Sequence, residues 1–509
     1  MAEATPPALL DHLLAHDGAS VAISDAAGSV TYGELLARSA VAARALLDRD
    51  RAAPYGGARV LVLVPPGPAF VTALLGVWRA GGVAVPVSTQ QTAPELEHMA
   101  ATAAPRATVV GDGVSERLDA WMRGPGAARI GRRMDMAALE ARAGTPVGAA
   151  AEHPATSAGP HDPALMLFTS GTTGKPKGVT LSHAGIAATV DALHGAWRWR
   201  ADDRLLHALP LNHTHGLIVA LLGALRAGAN VQFTAFDAVA VWEAFAGATV
   251  FMAVPTMYVR LVEALRAAAP AARARWIAGA RSLRLATSGS AALPPSLLNA
   301  FAEATGQTIL ERYGMTEIGM ALSNPYDGPR VPGSVGLPLP GVTIDIIDEQ
   351  EDPVAVGEPG ELRVRSPQLF LGYHGDPEAT ATAHDAAGRF RTGDTGVRAR
   401  DGTIRLLGRT SVDILKSGGY KLSALEIEDA LRAHPAVADI AVIGVPDPVW
   451  GDCVTACVVA RDGAPAPTLD DLRAFARDVL APYKLPRAVR VLAALPRNPM
   501  GKIQKSLLK

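Results

Sequence analysis

The stretch ARVLVLVPPGPAFVTALLGVWRAGGVAVPVS, from Ala58 to Ser88, decides the fold class. An unbroken apolar run, Val60–Val64, stops at a Pro-Pro-Gly turn; apolar residues then recur at helical spacing through Trp78, and Gly81-Gly82 ends that helix before a second short apolar run. A strand apolar on both faces, a crossover helix and a returning strand form a βαβ unit, and such units build parallel sheets. Upstream, Thr31 and Glu34 have the spacing of a capping box that opens a helix toward Leu47. Downstream, ALMLF (Ala164–Phe168), GANVQF (Gly228–Phe233) and ATVFMAVP (Ala248–Pro255) read as further buried strands between helical segments. The expected fold class is α/β: a large N-terminal α/β region of several subdomains with a β element, followed by a small C-terminal α+β domain.

The remaining pattern places the boundaries. Between Gly144 and Pro163 the chain turns to Ala, Pro and Gly without periodicity, as a surface loop does. From Pro338 to Val364, short alternating runs such as VTIDIID and GELRVRS predict the β element. After LLGRTS (Leu406–Ser411) the expected order is helix Ser423–Ala433, strands Asp439–Val445 and Val454–Ala460, a helix opened by Thr468-x-x-Asp471, and strand Val489–Leu492. This places a separate C-terminal α+β domain over 412–509 after an N-terminal core over 1–408, with 409–411 between them.

The totals exclude several functions. With 509 residues, 49% hydrophobic and 19% charged, the chain can bury a large core and exceeds one ordinary domain. Lys+Arg 48 against Asp+Glu 49 leaves a net charge of −1, so no global field attracts nucleic acid or an acidic membrane. Two cysteines, Cys453 and Cys457, in one alternating stretch with no nearby histidine pair, argue against a disulfide framework or structural zinc. The longest uncharged apolar stretch, around Gly216–Leu225, is short of the roughly 20 residues that span a bilayer. The opening MAEATPPALLDHLLAHDG carries acids and prolines rather than the basic or Arg/Ser-rich pattern of targeting peptides, so a cytoplasmic product is expected.

The chemistry is announced by LFTSGTTGKPKG (Leu167–Gly178). Thr169, Ser170, Thr172 and Thr173 offer hydroxyls, Gly171 and Gly174 let successive amides converge on an anion, and Lys175 and Lys177 add charge, which suits a polyphosphate. A P-loop would need a hydroxyl after the lysine; here Pro176 follows Lys175. The stretch resembles the phosphate loop of adenylate-forming acyl-CoA synthetases of the ANL superfamily. Matching motifs recur in family order: LPLNHTHG (Leu209–Gly216), SGSAALP (Ser288–Pro294), ERYGMTE (Glu311–Glu317), TGD (Thr392–Asp394), GRTSVDILKSGGYKLSALEIE (Gly408–Glu428) and PRNPMGKIQK (Pro496–Lys505). More narrowly, HTHG with ERYGMTEIGM and NPYDG resembles malonyl-CoA synthetases.

The resemblance implies an AMP-forming acid–thiol ligase using ATP, Mg²⁺ and coenzyme A, working as a monomer or homodimer. A carboxylate attacks the α-phosphorus of ATP, and the CoA thiol then displaces AMP. By the same resemblance Lys502 bridges carboxylate and α-phosphate, Glu317 ligates magnesium, Thr316 contacts the α-phosphate, Tyr313 stacks on adenine beside Gly314, and Asp394 and Arg409 hold the ribose. Ser411 falls at the hinge position, usually Asp or Lys in the family, and Gly418-Gly419 resembles the turn that approaches the pantetheine arm. Ser288, Thr214 and Met320 map to the acyl pocket, His213 to the mouth of the pantetheine tunnel, and His215 to either ligand contact or core. Arg312 stands where a small residue often lines the acyl pocket. A buried guanidinium needs an internal partner or a substrate bringing a second carboxylate, as malonate does. Arg284 is a second candidate for that carboxylate. Malonate is the expected acid, with methylmalonate slower. The alternatives are an uncharged short- or medium-chain acid with Arg312 purely structural, or an adenylation enzyme whose acceptor is a carrier protein.

Overall fold

A computed structural model describes residues 15–47, 55–143, 158–169, 176–418, 420–497 and 501–509. The βαβ unit forms from strand Arg59–Leu63, helix Pro68–Arg79 and strand Val83–Pro86, with the two strands paired in parallel. Pro68 sits in the first turn of the helix, where its missing N–H costs nothing. Gly81, at φ 72°, closes the other end in the left-handed conformation open to glycine, while the Gly82 amide donates back to Val77 O. Against this helix lies Tyr32–Leu47, opened by the expected box: Glu34 N–H donates to Thr31 Oγ1 and Thr31 N–H to Glu34 Oε2. The two helices approach so closely at Gly76 that a β-carbon there would lie 2.7 Å from Ala42 Cβ.

Two large sheets make up the N-terminal region. One has seven strands, in the order Gly372–Tyr373, Lys177–Ser182, Pro163–Thr169, Val83–Pro86, Arg59–Leu63, Ala107–Val110, Arg132–Asp135. The other has nine, running from Leu337–Pro338 through Gly319–Ser323, Leu310–Met315, Leu285–Ser288, Val250–Ala253 and Arg204–His207 to Asn230–Phe233, Val21–Asp25 and Gly28–Thr31. Their centres are parallel, as the continuous apolar runs predict; the nine-stranded sheet has antiparallel strands at both ends, the seven-stranded one only at its Gly372–Tyr373 end, while Arg132–Asp135 pairs in parallel. Thr169 pairs with Lys177, so the phosphate-loop motif connects two antiparallel strands, whereas a P-loop joins a strand to a helix. Ser170–Lys175 themselves lie outside the described residues, as does most of the expected Gly144–Pro163 loop.

The β element is a four-stranded antiparallel sheet, Thr343–Ile347, Pro359–Arg365, Phe390–Arg398 and Ile404–Arg409. A unit built on a five-stranded sheet follows, with its own core of Leu415, Ile427, Leu431, Val442, Val454 and Leu472. In it, helix Ala424–Arg432 precedes strands Val437–Asp447 and Gly451–Ala460; helix Leu469–Ala476 is capped by Thr468 and Asp471, and Ala488–Val491 pairs with Gly451–Ala460. The apolar Gly216–Leu225 stretch becomes the buried π-helical segment His215–Leu222 and the short helix Gly223–Arg226. Among the described residues, no helix is long and apolar enough to cross a membrane. Cys453 and Cys457 are both free.

Candidate active site

The site is built where strands Leu285–Ser288 and Leu310–Met315 end, the position at which parallel sheets leave a crevice. Successive strand residues face opposite ways, so Arg312 and Tyr313 serve opposite sides of the same strand. Arg312 is 4% exposed, and its guanidinium lies over Gly289, where a β-carbon would overlap it. Its Nε and Nη2 are buried without hydrogen-bond partners. Burial pushes its pKa down to about 9, and among the described residues no carboxylate offsets that cost. The neighbouring Glu311 is not its counter-ion: Glu311 Oε1 accepts from Gly333 N–H at 3.2 Å, and burial lifts this carboxyl to about 8.

His215 Nε2 is also buried without a partner among the described residues, and its ring feels the Arg312 charge. His215 Nδ1 lies 3.4 Å from Ser290 Oγ, and burial first, then the Arg312 charge, keeps the ring neutral. Ser288 Oγ is unpaired too, but Ser288 is in register with Glu311 and so shares that face of the sheet, opposite Arg312. Buried polar atoms are nearly always paired in folded proteins, so an unpaired guanidinium with His215 beside it points to an acceptor-rich ligand. His213 is half-buried, with Nε2 3.5 Å from Asn212 Nδ2, and burial lowers its pKa.

On the other side of the strand, Tyr313 Oη donates to Asp394 Oδ2 at 2.6 Å, and Arg409 Nε meets Asp394 Oδ1 at 3.1 Å. Burial raises the Asp394 pKa, while Arg409, Tyr313 and Lys502 oppose the rise. The turn after Tyr313 is clamped by its surroundings. Thr214 Oγ1 donates to Thr316 Oγ1 at 3.1 Å, Phe370 N–H to Glu317 O at 2.8 Å, and Met320 N–H to Gln368 Oε1 at 2.9 Å. Gly319, at φ 63°, faces Thr189 and Gln368 so closely that a β-carbon would overlap both. Met320 is buried against Gly314. Glu317, 6% exposed, accepts from Tyr373 Oη at 3.0 Å, and its pKa is raised by burial.

The C-terminal tail completes the arrangement. Gly501 packs against Thr256 of the N-terminal region, and Lys502 follows it into the field of Asp394 and Arg409. The Lys502 side chain is open to solvent at its edge, yet enough protein surrounds it to lower its pKa, with Arg409 adding to that effect and Asp394 and Asp413 resisting it. Thus Tyr313, Thr316, Glu317, Asp394, Arg409 and Lys502, all from the stretch between residues 313 and 502, converge on one cleft, with Arg312 on the opposite face of the Tyr313 strand. Ser411 is exposed in the turn between strands Ile404–Arg409 and Ile414–Ser417. Gly418 opens the next hairpin, packed on Trp450; Gly419 lies outside the described residues, as do Asn498–Met500 of the tail motif.

One candidate is corrected. Arg284 stands at the start of strand Leu285–Ser288, the end remote from the crevice, where it pairs with Asp203 and donates to Trp197 O at 2.9 Å. It acts as a structural clamp, paired with Asp203 and placed away from the crevice. Tyr373 and Gln368, which position Glu317 and the Thr316–Gly319 turn, escaped the sequence reading. Both lie in the unremarkable stretch PQLFLGY, and only the pairing of Gly372–Tyr373 with Lys177–Ser182 brings that stretch to the site.

A magnesium ion fits this donor set. Among the described residues no group of three or more His, Cys, Asp or Glu could hold an ion unaided. A single buried carboxylate, Glu317, is the usual protein share where phosphate oxygens and waters fill the other positions.

Residues 10–374 match the family model of the AMP-binding enzyme, and residues 426–502 that of the AMP-binding enzyme C-terminal domain. The chain is 41% identical to the mitochondrial malonate–CoA ligase ACSF3 of Mus musculus, over 97% of this chain and 88% of that one. Among solved structures, ATP-bound MatB from Rhodopseudomonas palustris shares 35% identity over 98% of this chain and 97% of its own, with a TM-score of 0.86. A malonyl-CoA ligase ternary product complex with methylmalonyl-CoA and AMP shares 37% identity over 98% of this chain and 100% of its own, with a TM-score of 0.68.

Proposed function

Since the chain belongs to the AMP-binding enzyme family, with the main and C-terminal models matched in order, we propose that it is an ATP-dependent malonate–CoA ligase. It converts malonate, ATP and CoA to malonyl-CoA, AMP and pyrophosphate through malonyl-AMP. The family relation supplies the reaction class; the observation that selects the acid is Arg312, buried, charged and short of acceptors. A dicarboxylate brings the missing acceptor with it, whereas an uncharged tail would leave the guanidinium unpaired in an apolar wall.

In the first half-reaction, an oxygen of one malonate carboxylate bonds to the α-phosphorus, and pyrophosphate leaves with the electron pair of the broken P–O bond. Two anions must approach each other, so cations at the meeting point lower the barrier most. Lys502, beside Asp394 and Arg409, brings a mobile point charge, and the Thr316 hydroxyl, held by Thr214, offers a hydrogen bond to the α-phosphate. Asp394 and Arg409 hold the ribose while Tyr313, fixed through its hydroxyl, presents a face to adenine. Arg312, with His215 beside it, holds the far carboxylate, so the reacting one is aimed by its partner. Mg²⁺ on Glu317 and the polyphosphate would neutralise charge on the leaving group.

In the second half-reaction, the CoA sulfur attacks the acyl carbonyl carbon, AMP leaves with the C–O electron pair, and the thiol proton passes to solvent. The C-terminal domain, residues 412–509, turns about 409–411 and exchanges Lys502 for the Gly418-Gly419 turn, whose small residues admit the pantetheine arm. Supporting this, the chain superposes better on the ATP-bound relative than on the CoA-product complex at similar identity and coverage, as a rotated domain would produce. A cytoplasmic site of action is part of the same reading, and cell fractionation checks it.

The test is a substrate panel: purified protein with ATP, Mg²⁺ and CoA, offered malonate, methylmalonate, acetate, propionate or octanoate, with AMP release followed. Malonate should be used best and methylmalonate more slowly. Preference for propionate or octanoate over malonate would remove the dicarboxylate reading, and AMP release without CoA consumption would point to another acceptor.

A further inference from the structure

Three residues after Lys502, Lys505 is 7% exposed, and its ammonium sits between two carboxylates, 2.6 Å from Asp413 Oδ1 and 2.6 Å from Glu428 Oε1. Burial alone would lower its pKa; Glu428 and Asp413 outweigh burial and hold it charged. Each carboxylate is tied in turn to backbone. Glu428 Oε1 accepts from Val442 N–H at 2.7 Å, inside the C-terminal core. Asp413 Oδ2 accepts from Arg409 N–H at 3.0 Å, and Asp413 N–H donates to Arg409 O at 2.8 Å, so this side chain is locked to the first residue of the 409–411 connector. Arg409 is also the residue whose guanidinium holds Asp394.

The two ends of the tail segment meet: Arg497 bridges to Ile503 and Gln504 N–H donates to Pro496 O at 2.8 Å, with Lys502 directly before that bridge and Lys505 just after it. A closed segment anchored there by two ion pairs leaves the residue three positions earlier few ways to move. We propose that Lys505 is a positioning residue for adenylation: through Asp413 it fixes the tail loop to the connector at Arg409, and so sets where the Lys502 ammonium stands relative to the nucleotide. The inference rests on Lys502 serving the first half-reaction. It requires that the second half-reaction, which uses the Gly418 side of the domain, be insensitive to Lys505.

The experiment uses the full chain and separates the halves. Malonate-dependent exchange of labelled pyrophosphate into ATP, without CoA, reports adenylation; single-turnover transfer from enzyme-bound malonyl-AMP to CoA reports the second step. Lys505→Met should lower exchange kcat by about 10–100-fold, the scale of a roughly 1 Å misplacement, with KM for ATP and malonate changed less than about threefold and the transfer rate unchanged. Lys505→Arg should restore part of the exchange. Asp413→Asn, which leaves Lys505 its Glu428 partner, should show the same split more mildly and decides the matter if Lys505→Met does not fold. Glu428→Gln should leave exchange close to wild type. Equal loss of both half-reactions in Lys505→Met and Asp413→Asn, or loss through KM, would overturn the proposal. Lys502→Ala run in parallel distinguishes the two levels: if it retains exchange, the role given to Lys502 fails; if it loses exchange while the Lys505 and Asp413 variants do not, only the present inference fails.

Discussion

Replacing Arg312 by Met should make the ligand-free protein more stable and nearly inactive on malonate. Burial lowers this guanidinium well below its ordinary value, to about 9; at about 1.36 kcal/mol per pH unit, the charged form is disfavoured in the fold by about 5 kcal/mol. At neutral pH the group is charged in both the folded and unfolded states, so this cost is fully present; it disappears only as pH rises above about 9 toward the ordinary arginine range. Methionine fills much of the same volume without the charge. Even partial recovery of that energy should raise the apparent unfolding midpoint of the ligand-free protein by at least about 3 °C. Malonate binding should move oppositely. Removing one partner of a buried charge pair costs about 3–5 kcal/mol, so kcat/KM for malonate should fall by about 10²–10⁴-fold. Propionate, which leaves nothing for the guanidinium to hold, should lose little or even gain. The assays are differential scanning fluorimetry at pH 7 with and without malonate, and AMP release with each acid. A variant that is less stable than wild type without ligand would show that Arg312 has an internal partner. A malonate kcat/KM within tenfold of wild type would refute the carboxylate role.

Three other perturbations test the same site. Lys502→Ala should reduce malonate-dependent pyrophosphate exchange by about 10²-fold or more while circular dichroism stays unchanged, because it removes a cation from the meeting of two anions and touches no core residue. Gly319→Ala should sharply lower kcat, since φ 63° disfavours a side chain and the new methyl would collide with Thr189 and Gln368, displacing the turn that carries Glu317; activity near wild type would show that the turn tolerates displacement. Burial holds the Glu311 carboxyl at about 8, above its ordinary value near 4.5, so between those pH values the unfolded chain has released a proton that the fold retains, and stability falls as pH rises. Glu311→Gln should abolish that part of the slope, leaving the midpoint difference between variant and wild type growing from about pH 5 to about pH 8.

Much of the site was legible because its residues sit in short motifs whose types match their chemistry. Tyr313, Thr316 and Glu317 come from ERYGMTE, Asp394 from TGD and Lys502 from PRNPMGKIQK, and the structure brings them to one cleft. Arg284 was misread for a reason internal to sequence reasoning: a strand residue's type does not tell which end of the strand faces the ligand, and Arg284 lies at the far one, already paired with Asp203. Tyr373 and Gln368 gave no signal, since a tyrosine and a glutamine in an apolar stretch are ordinary until sheet pairing sets them beside Glu317 and Gly319. The antiparallel edges of both large sheets were likewise hidden, because an apolar run records burial on both faces and says nothing of direction.

The sequence by itself determined the α/β class, the small β element, the separate C-terminal unit and the reaction chemistry, because apolar periodicity and local motifs are properties of neighbouring residues. Only the tertiary structure decided that Arg312 lacks a counter-ion, that Glu311 turns away from it, and that Lys505 joins Asp413 to the tail loop. Those are statements about which charges are left unpaired in a medium of low dielectric, and that depends on contacts between residues far apart in the chain.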